Sequence, residues 1–231
     1  MNLNELIMKA SDYTPAKKYL QDRRIPDEFI DDLYANPDCT VIWGEDNIEG
    51  SASEGVWIKA GVESAHGRRI PLGNEPRVVF PYYALGSAGN PSDLVGFTTR
   101  MLTPANDDGM RYQGRRTVTD AKLVFNGHKI DPSKTIFITE GEICSSHLPN
   151  ACSTENYENL PVEWKPMAIL VYDNDGKTHR GRNDREDAIA AGWTVVDWGT
   201  SVGHPYHKDI NAMIMANMDT PQIVELIRSH I

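Results

Sequence analysis

The feature that most constrains this chain is an alternation of short apolar runs and helix-compatible segments that begins after Pro132. Three runs are almost continuously apolar: KTIFITE, KPMAILVYD and WTVVDW. The segments EICSSHL and RNDREDAIAAG lie between them and suit helices. Strands that are apolar on both faces and alternate with helices are typical of a parallel sheet covered on both sides. The sequence therefore predicts an α/β domain over residues 132–231, closed by helices through DINAMIMANM and PQIVELIRSH, the second capped by Thr220 and Pro221.

Residues 1–131 follow a different pattern. Two short helices are predicted first, one with Thr14 as N-cap and Pro15 at the first helical position, the other running through PDEFIDDLYAN and ending before Pro37. Short β runs follow, separated by Gly, Ser, Asn and Pro: TVIWG, GVWIKAG, RVVFPYYAL and DLVGFTTRML. The last two, joined by GSAGNPSD, predict a hairpin. We therefore expect a small α+β lobe of helices and antiparallel strands, with the parallel-sheet domain packed on it.

Charge is divided unevenly along the chain, whose net charge is −10. Residues 25–58 hold nine acidic residues and no Lys or Arg, whereas residues 59–129 hold ten basic and six acidic residues. Residues 130–231 hold fifteen acidic and eight basic residues. The cationic middle is compatible with a polyanionic partner in spite of the acidic total. The acidic remainder is either a solvated surface or a cluster gathered for a metal.

The cysteines and the hydropathy pattern indicate the compartment. Cys39, Cys144 and Cys152 are odd in number and form no C-x-x-C pair, which argues against a disulfide framework and a structural zinc module. No apolar run approaches the roughly 20 residues of a membrane helix, and the first residues lack the pattern of a secretory signal. We expect a cytoplasmic protein without membrane contact, in the host cytoplasm if the chain is phage-encoded.

Acidic side chains follow two of the predicted strands at the point where each strand ends. Glu140 follows the first strand, and Asp173 and Asp175 follow the second. Ligand sites in parallel sheets lie at these strand ends, so we expect the three carboxylates to converge. Like charges about 4 Å apart repel by roughly 4 kcal/mol at an effective dielectric of about 20, so such a cluster implies a shared proton or a bound cation. Oxygen ligands favour Mg²⁺ or Mn²⁺.

A fourth acid, Asp209, follows the third strand next to Lys208, just ahead of a predicted helix. Two interpretations are open, a metal ligand and a plain helix N-cap. A metal held at these strand ends would align an attacking 3′-hydroxyl with a nucleotide phosphate and neutralise charge on the phosphate oxygens, and a second ion would stabilise the leaving group. The joint pattern predicts phosphoryl transfer on nucleic acid.

Several segments together resemble TOPRIM domains and, more narrowly, the RNA-polymerase core of DnaG-type bacterial and phage primases. KYLQDRRI is similar to the family's Y-L-x-x-R-G-I, with Arg24 in place of Gly. RVVFPYYALGSAGNPSDLVGFTTR is similar to the R-[IV]-x-F-P-I and G-x-[VI]-x-G-F-x-x-R hairpin, and MRYQGRRTVTDAKLVFNG to the K-Y-x-N-S and F-x-K segment. IFITEGEICSSHL and KDINAM resemble the TOPRIM strand and helix and the K-D-x-N/D element. The likeness spans residues 16–215.

The resemblance implies a DNA primase core, a metal-dependent nucleotidyltransferase that makes short RNA primers from ribonucleoside triphosphates on single-stranded DNA. It implies a catalytic metal site of Mg²⁺ or Mn²⁺ in a TOPRIM-like domain, held by Glu140, Asp173, Asp175 and Asp209. The residues it implies for binding nucleic acid or nucleotide are Arg77, Arg100, Arg111, Lys122 and Lys208.

The chain departs from the family's pattern in three places. The segment GKTHRGRNDRED inserts residues after the D-x-D, and Asn211 stands where a second acid is usual, which puts a second metal in doubt. No Cys-rich zinc module or helicase sequence is found, so a separate zinc-binding protein or the replicative helicase is a candidate partner. Two alternatives stay open: a TOPRIM nuclease in which water replaces the 3′-hydroxyl, and an inactive module that binds nucleic acid or a partner.

Overall fold

The computed structural model describes residues 8–37, 76–102, 112–174, 179–198 and 207–231. It is a mixed α/β protein with one five-stranded sheet of antiparallel pairs and one four-stranded parallel sheet. These sheets confirm the predicted fold class. The chain divides into two compact units, one within residues 1–22, 27–81 and 96–117, the other within residues 23–26, 82–95 and 118–231. The predicted boundary between residues 131 and 132 stays a prediction.

The five-stranded sheet has the strand order β1-β2-β3-β4-β5. Ala35 lies opposite Val78, and Phe97 lies opposite Arg115. The strands β3 and β4 are neighbours joined by a loop with one 3₁₀ turn at Pro91–Asp93, as the hairpin pattern predicted. The five strands are β1 Met8–Lys9, β2 Tyr34–Asn36, β3 Arg77–Tyr83, β4 Leu94–Met101 and β5 Tyr112–Arg116.

Two helices, α1 Thr14–Asp22 and α2 Asp27–Ile30, precede this sheet in the chain, after a 3₁₀ turn at Ala10–Asp12. Thr14 is thus the first helical residue and not the N-cap. The second predicted helix is wrong beyond its first turn, because Tyr34–Asn36 form β2 and pair with β3. Pairing with a fully buried strand outweighs the helical propensity of a short segment.

The parallel sheet has the strand order β7-β6-β8-β9, with β6 Ile136–Thr139, β7 Ala151–Ser153, β8 Ala168–Val171 and β9 Thr194–Val195. Successive residues of the central strands enter different apolar clusters. Phe137 and Ile169 belong to one cluster, whereas Ile138 and Leu170 belong to the other. Side chains alternate across a strand, so clusters on both faces require the continuous apolar runs seen in the sequence. The edge strand β7 was not predicted, because its three residues, Ala-Cys-Ser, form no apolar run.

The helices of the second unit are α3 Glu142–Ser145, α4 His179–Ala190, α5 Ile210–Met215 and α6 Thr220–Arg228. Three further 3₁₀ turns lie at Gly127–Lys129, Tyr157–Asn159 and Val162–Trp164. The N-cap of α6 is Asp219, which forms a capping box with Gln222, so the prediction of Thr220 as cap is wrong by one residue. Among the described residues, no helix combines the length and apolarity that crossing a membrane requires.

Candidate metal centre

The carboxyl ends of β6 and β8 lie side by side, because the two strands pair in parallel with Thr139 opposite Val171. Glu140 follows β6 directly, and Asp173 follows β8 after one residue. The backbone N–H of Asp173 donates a hydrogen bond to Oε1 of Glu140 at 3.2 Å. The parallel register therefore brings two of the predicted acids together.

Two side chains hold the backbone at the end of β8. The indole Nε1 of the buried Trp198 donates to the carbonyl oxygen of Tyr172 at 2.8 Å. The guanidinium Nη2 of Arg185, on α4, donates to the carbonyl oxygen of Asp173 at 2.5 Å. Burial and the negative charge of Glu140 raise the pKa of the Tyr172 phenol, so it stays protonated. Backbone anchors of this kind fix the direction in which the acidic side chains leave the strand.

Asp209 is carried to the same strand end by the segment before α5. The backbone N–H of Asn174 donates to the carbonyl oxygen of Lys208 at 2.7 Å. One oxygen of Asp209, Oδ1, accepts from the Ala212 N–H at 2.7 Å, so Asp209 is the N-cap of α5. The same carboxylate lies beside that of Asp173. The cap interpretation and the ligand interpretation are therefore compatible in the geometry.

Cys144 joins the two aspartates, which sequence reasoning missed. One ligand atom each from Cys144, Asp173 and Asp209 lies within 4.8 Å of the other two. Cys144 is 7% exposed, on α3 directly after β6. A lone cysteine forms no ligand pattern, but its place four residues after Glu140 puts it in the first turn beyond the same strand end.

The two carboxylates of this cluster repel each other. The ligand oxygens of the two carboxylates lie within 4.8 Å of each other, and full charges at that distance repel by about 3 kcal/mol at an effective dielectric of about 20. Lys208 offsets part of this, with Nζ 3.6 Å from Oδ2 of Asp173, but its side chain is 64% exposed and solvent screens the pair. Burial, and then the charge of Asp209, raise the pKa of the Cys144 thiol to about 12. Carboxylate oxygens of this number and spacing fit a divalent cation.

Asn211, two residues after Asp209, belongs to a largely buried hydrogen-bond network. Its Oδ1 accepts from Nη1 of Arg23 at 3.0 Å, and its Nδ2 donates to the Arg23 carbonyl at 3.1 Å and approaches Nε2 of His147 at 3.1 Å. Burial lowers the pKa of His147 to about 4, so the ring is neutral and its Nε2 accepts. An aspartate at position 211 has no donor for these two acceptors, which explains the amide where the family resemblance expects an acid.

Arg24 stands where the family resemblance expects glycine, and its backbone keeps the conformation that glycine favours, with φ at 59°. Its guanidinium donates to the Ile214 carbonyl and to Oδ1 of Asn217, both at 2.8 Å. A cation at the last turn of a helix also stabilises the helix dipole. Arg24 thus offsets its backbone strain by capping α5.

The predicted nucleic-acid residues Arg77 and Arg100 are buried within the first unit. Arg77 is 0% exposed, and its Nη1 donates to Oγ1 of Thr99 at 3.3 Å. Arg100 is 7% exposed, and its guanidinium lies 4.7 Å from the ring centroid of Tyr112 and 5.9 Å from that of Tyr19. These contacts give both arginines a packing role. Their predicted role toward phosphates stays a prediction.

The remaining predicted residues divide into two groups. Lys122 and Lys208 are exposed, so their ammonium groups are accessible to a phosphate from solvent. Asp175 and Arg111 lie outside the described residues.

The first residue of α3, Glu142, was not predicted to matter, yet it is a buried acid that helps to position the cluster. The hydroxyl of Tyr82 donates to its Oε1 at 2.6 Å, and both side chains are at most 8% exposed. A short hydrogen bond to a carboxylate is among the stronger ones in proteins. It holds the start of the helix that carries Cys144.

Comparison with known proteins identifies the fold. Neither a protein-family model nor a characterised sequence relative matches the chain. The catalytic core of Escherichia coli primase superposes with a TM-score of 0.59 at 16% identity, covering 94% of this chain and 73% of that one. The DnaG primase catalytic domain bound to single-stranded DNA gives 0.56 at 17% identity, covering 94% and 74%. The RNA polymerase domain of Mycobacterium tuberculosis DnaG, in complex with a DNA oligomer, gives 0.52 at 15% identity, covering 93% and 72%. The chain has the fold of primase catalytic cores.

Proposed function

We propose that this chain is a primase core, a divalent-cation-dependent nucleotidyltransferase that makes short RNA primers on single-stranded DNA. The observation that carries this proposal is the meeting of the Asp173 and Asp209 carboxylates at the carboxyl end of a parallel sheet, where Glu140 accepts a hydrogen bond from the Asp173 backbone. The fold is that of primase catalytic cores, one of which is bound to single-stranded DNA. A strand-end carboxylate cluster in this fold is suited to phosphoryl transfer.

Each residue of the centre has a proposed role. A divalent cation at Asp173 and Asp209, Mg²⁺ or Mn²⁺, would supply charge neutralisation for the nucleotide phosphates. Glu140 holds the Asp173 backbone through its hydrogen bond and is proposed as a further ligand. Lys208, exposed beside Asp173, is placed to contact a triphosphate oxygen. Asp175 is proposed as a further ligand, because it follows Asp173 by two residues.

The binding of template and nucleotide is proposed for cationic residues outside the cluster. Lys122 is exposed and available to a phosphate without rearrangement. The other proposed residues are Arg77, Arg100 and Arg111. A replicative helicase or a separate zinc-binding protein is the proposed protein partner, which would supply template recognition.

The direct test is a primer-synthesis assay with single-stranded DNA, labelled ribonucleoside triphosphates and Mg²⁺ or Mn²⁺. We expect short templated RNA from the wild type and none from Glu140→Gln or Asp173→Asn. Glu225→Gln and Asp187→Asn are matched controls, because both remove an exposed carboxylate elsewhere on the second unit, and we expect them to keep activity.

Three results would contradict the proposal. Absence of templated product, even with a helicase or zinc-binding partner added, excludes primer synthesis. Metal-dependent shortening of the DNA without nucleotide incorporation identifies a nuclease instead. Nucleic-acid binding that Glu140→Gln leaves unchanged, without either reaction, identifies a binding module.

A further inference from the structure

We propose that Arg185 binds the triphosphate group of the incoming nucleotide at the carboxylate centre. The inference rests on the proposed function, because it takes the centre formed by Asp173 and Asp209 as the place where a nucleotide and its divalent cation bind. Arg185 lies in the segment GKTHRGRNDRED, where the sequence departs from the family's pattern. The family resemblance therefore assigns it no role.

The helix α4 directs Arg185 toward the carboxyl end of β8. Ala188, on the same helix, is buried in the apolar cluster that contains Tyr172. Arg185 precedes Ala188 by three residues, so the two side chains lie on the same face of the helix, one turn apart. Arg185 is half-buried, whereas Glu186, which follows it, is exposed. The packing of α4 thus fixes the side of the helix from which the guanidinium reaches the strand end.

The guanidinium of Arg185 bonds a neutral partner. Its Nη2 donates to the backbone carbonyl oxygen of Asp173 at 2.5 Å. A guanidinium has five N–H donors, and this bond takes one of them. Among the residues that the structure describes, no carboxylate forms an ion pair with Arg185. Its charge is therefore not neutralised by a described acid, and its other N–H groups can bond an anionic ligand.

Arg185 also lies close to the negative charge of the centre. Burial and the charge of Glu140 raise the pKa of the Tyr172 phenol, and the charge of Arg185 acts in the opposite direction. Carboxylates at the strand end repel a triphosphate, and one divalent cation offsets this repulsion only in part. Lys208 lies beside the carboxylate of Asp173, and Arg185 beside its carbonyl. Two cations at the strand end would offset the rest of the repulsion.

Nucleotide binding in the absence of template tests this contact. Equilibrium dialysis of labelled ATP with Mn²⁺ compares the wild type with Arg185→Gln. We expect the variant to bind ATP about tenfold more weakly, because a charge-assisted hydrogen bond to phosphate is lost. Inorganic triphosphate, which competes with labelled ATP, should lose affinity by a similar factor, since the contact is to phosphate and not to the nucleoside.

Two further variants serve as controls. Arg185→Lys keeps the charge but not the planar guanidinium, so its affinity for ATP should lie between those of the wild type and Arg185→Gln. Arg228→Gln removes an exposed arginine from the last turn of α6, and we expect it to bind ATP as the wild type does. Circular dichroism checks that each variant is folded.

Binding of Mn²⁺ without nucleotide separates a phosphate contact from a purely structural role. Electron paramagnetic resonance of free Mn²⁺ measures the affinity. If Arg185 only held the backbone of Asp173, its loss would loosen a metal ligand and weaken Mn²⁺ binding. A phosphate contact predicts that Arg185→Gln binds Mn²⁺ at least as tightly as the wild type, because a positive charge near the cation is removed.

The outcomes separate this inference from the proposed function. Equal ATP affinity in the wild type and Arg185→Gln overturns the inference. A loss that inorganic triphosphate does not share, that comes with weaker Mn²⁺ binding, or that Arg228→Gln reproduces overturns it as well. In each of these cases the proposed function stands if the wild type forms primers. If the wild type binds neither Mn²⁺ nor ATP and forms no primer, the proposed function fails and the inference fails with it.

Discussion

At the scale of single residues, His147 shows how burial sets a protonation state. Its ring is buried and its pKa is lowered to about 4 from an ordinary value of 6.5. A neutral ring can accept the Asn211 amide at 3.1 Å, and a protonated ring cannot. The hydrogen bond and the burial therefore select the same neutral form.

This pKa makes stability depend on pH. Since the folded pKa lies below the unfolded one, the unfolded chain binds more protons between about pH 6.5 and 4, and stability falls as the pH drops through that window. We expect His147 to contribute a loss of about 2–3 kcal/mol in the free energy of unfolding between about pH 7 and pH 4.5. Urea denaturation at several pH values measures it.

The matched variants are His147→Gln and His207→Gln. Glutamine at position 147 keeps an acceptor for Asn211 and does not titrate, so we expect a flatter pH profile. His207 is exposed, and its replacement is expected to leave the wild-type profile in place. Identical profiles for the wild type and His147→Gln would show that another group titrates.

Arg24 combines a strained backbone with two hydrogen bonds, and two substitutions separate these effects. Arg24→Ala removes both bonds and keeps the left-handed strain, whereas Arg24→Gly removes the bonds and relieves the strain. We expect Arg24→Ala to be less stable than Arg24→Gly by about 1 kcal/mol, measured by chemical denaturation. A glycine variant that is equal to or less stable than the alanine variant would show that strain is not stored there.

At the scale of elements, sequence patterns predicted the strands whose own residues are apolar throughout. They missed a strand that forms only because it pairs with a segment distant in the sequence. The strands β6 and β8 were predicted, because both of their faces are buried and their residues are apolar throughout. The strand β2 was predicted as helix, because its pairing partner β3 lies far along the chain. Helix propensity depends on residues nearby in the sequence, whereas strand pairing depends on residues that are close in space and can be distant in the sequence.

The candidate site follows the same rule. Glu140 and Asp173 were placed from strand ends, whose position follows from the parallel register. Cys144 was missed, because one cysteine carries no spacing that marks it as a ligand. Spacing also left open whether Asp209 is a metal ligand or the N-cap of α5. The structure makes it the N-cap and places its carboxylate near that of Asp173, and its role as a ligand stays a prediction.

The loop between β3 and β4 contains a glycine that two independent constraints require. Gly89 has φ at +74°, and a Cβ there would lie 2.7 Å from the His128 ring. That ring stacks edge-on against Tyr83, with centroids 4.9 Å apart, so it resists moving. Gly86 has nearly the same φ, +72°, but nothing within 4 Å of a Cβ.

We expect Gly89→Ala to lower the free energy of unfolding by about 2–3 kcal/mol and Gly86→Ala by about 1 kcal/mol, since only the first adds a clash to the strain. Thermal or urea denaturation of both variants measures the difference. Adding His128→Ala to Gly89→Ala should remove part of the excess. Equal losses in the two glycine variants would show that the His128 ring gives way freely.

At the scale of the whole molecule, the cationic middle segment of the sequence does not place all of its positive charges on the surface. The cationic middle segment contains Arg77 and Arg100, which the fold buries in the first sheet. Exposed cations of the same segment include Lys122 and Lys129. A charge sum along the chain therefore overstates the cationic surface, and salt dependence of nucleic-acid binding is the better measure of how many cations meet phosphate.

If the carboxylate centre is the cation site that we propose, we expect it to couple the stability of the whole chain to divalent cations. Without a cation, Asp173 and Asp209 repel each other. Asp173→Asn should therefore raise the free energy of unfolding by about 1 kcal/mol, since partial exposure screens the larger bare repulsion.

With Mn²⁺ at about 100 times its Kd, the wild type should gain about 2.7 kcal/mol in the free energy of unfolding. The variant should lose most of this gain, whereas Asp187→Asn should match the wild type in both conditions. Denaturation of the three proteins with and without Mn²⁺ measures all six free energies of unfolding. A destabilised Asp173→Asn in chelator would show that its pairing with Lys208 outweighs the repulsion, and an unchanged Mn²⁺ gain would place the cation elsewhere.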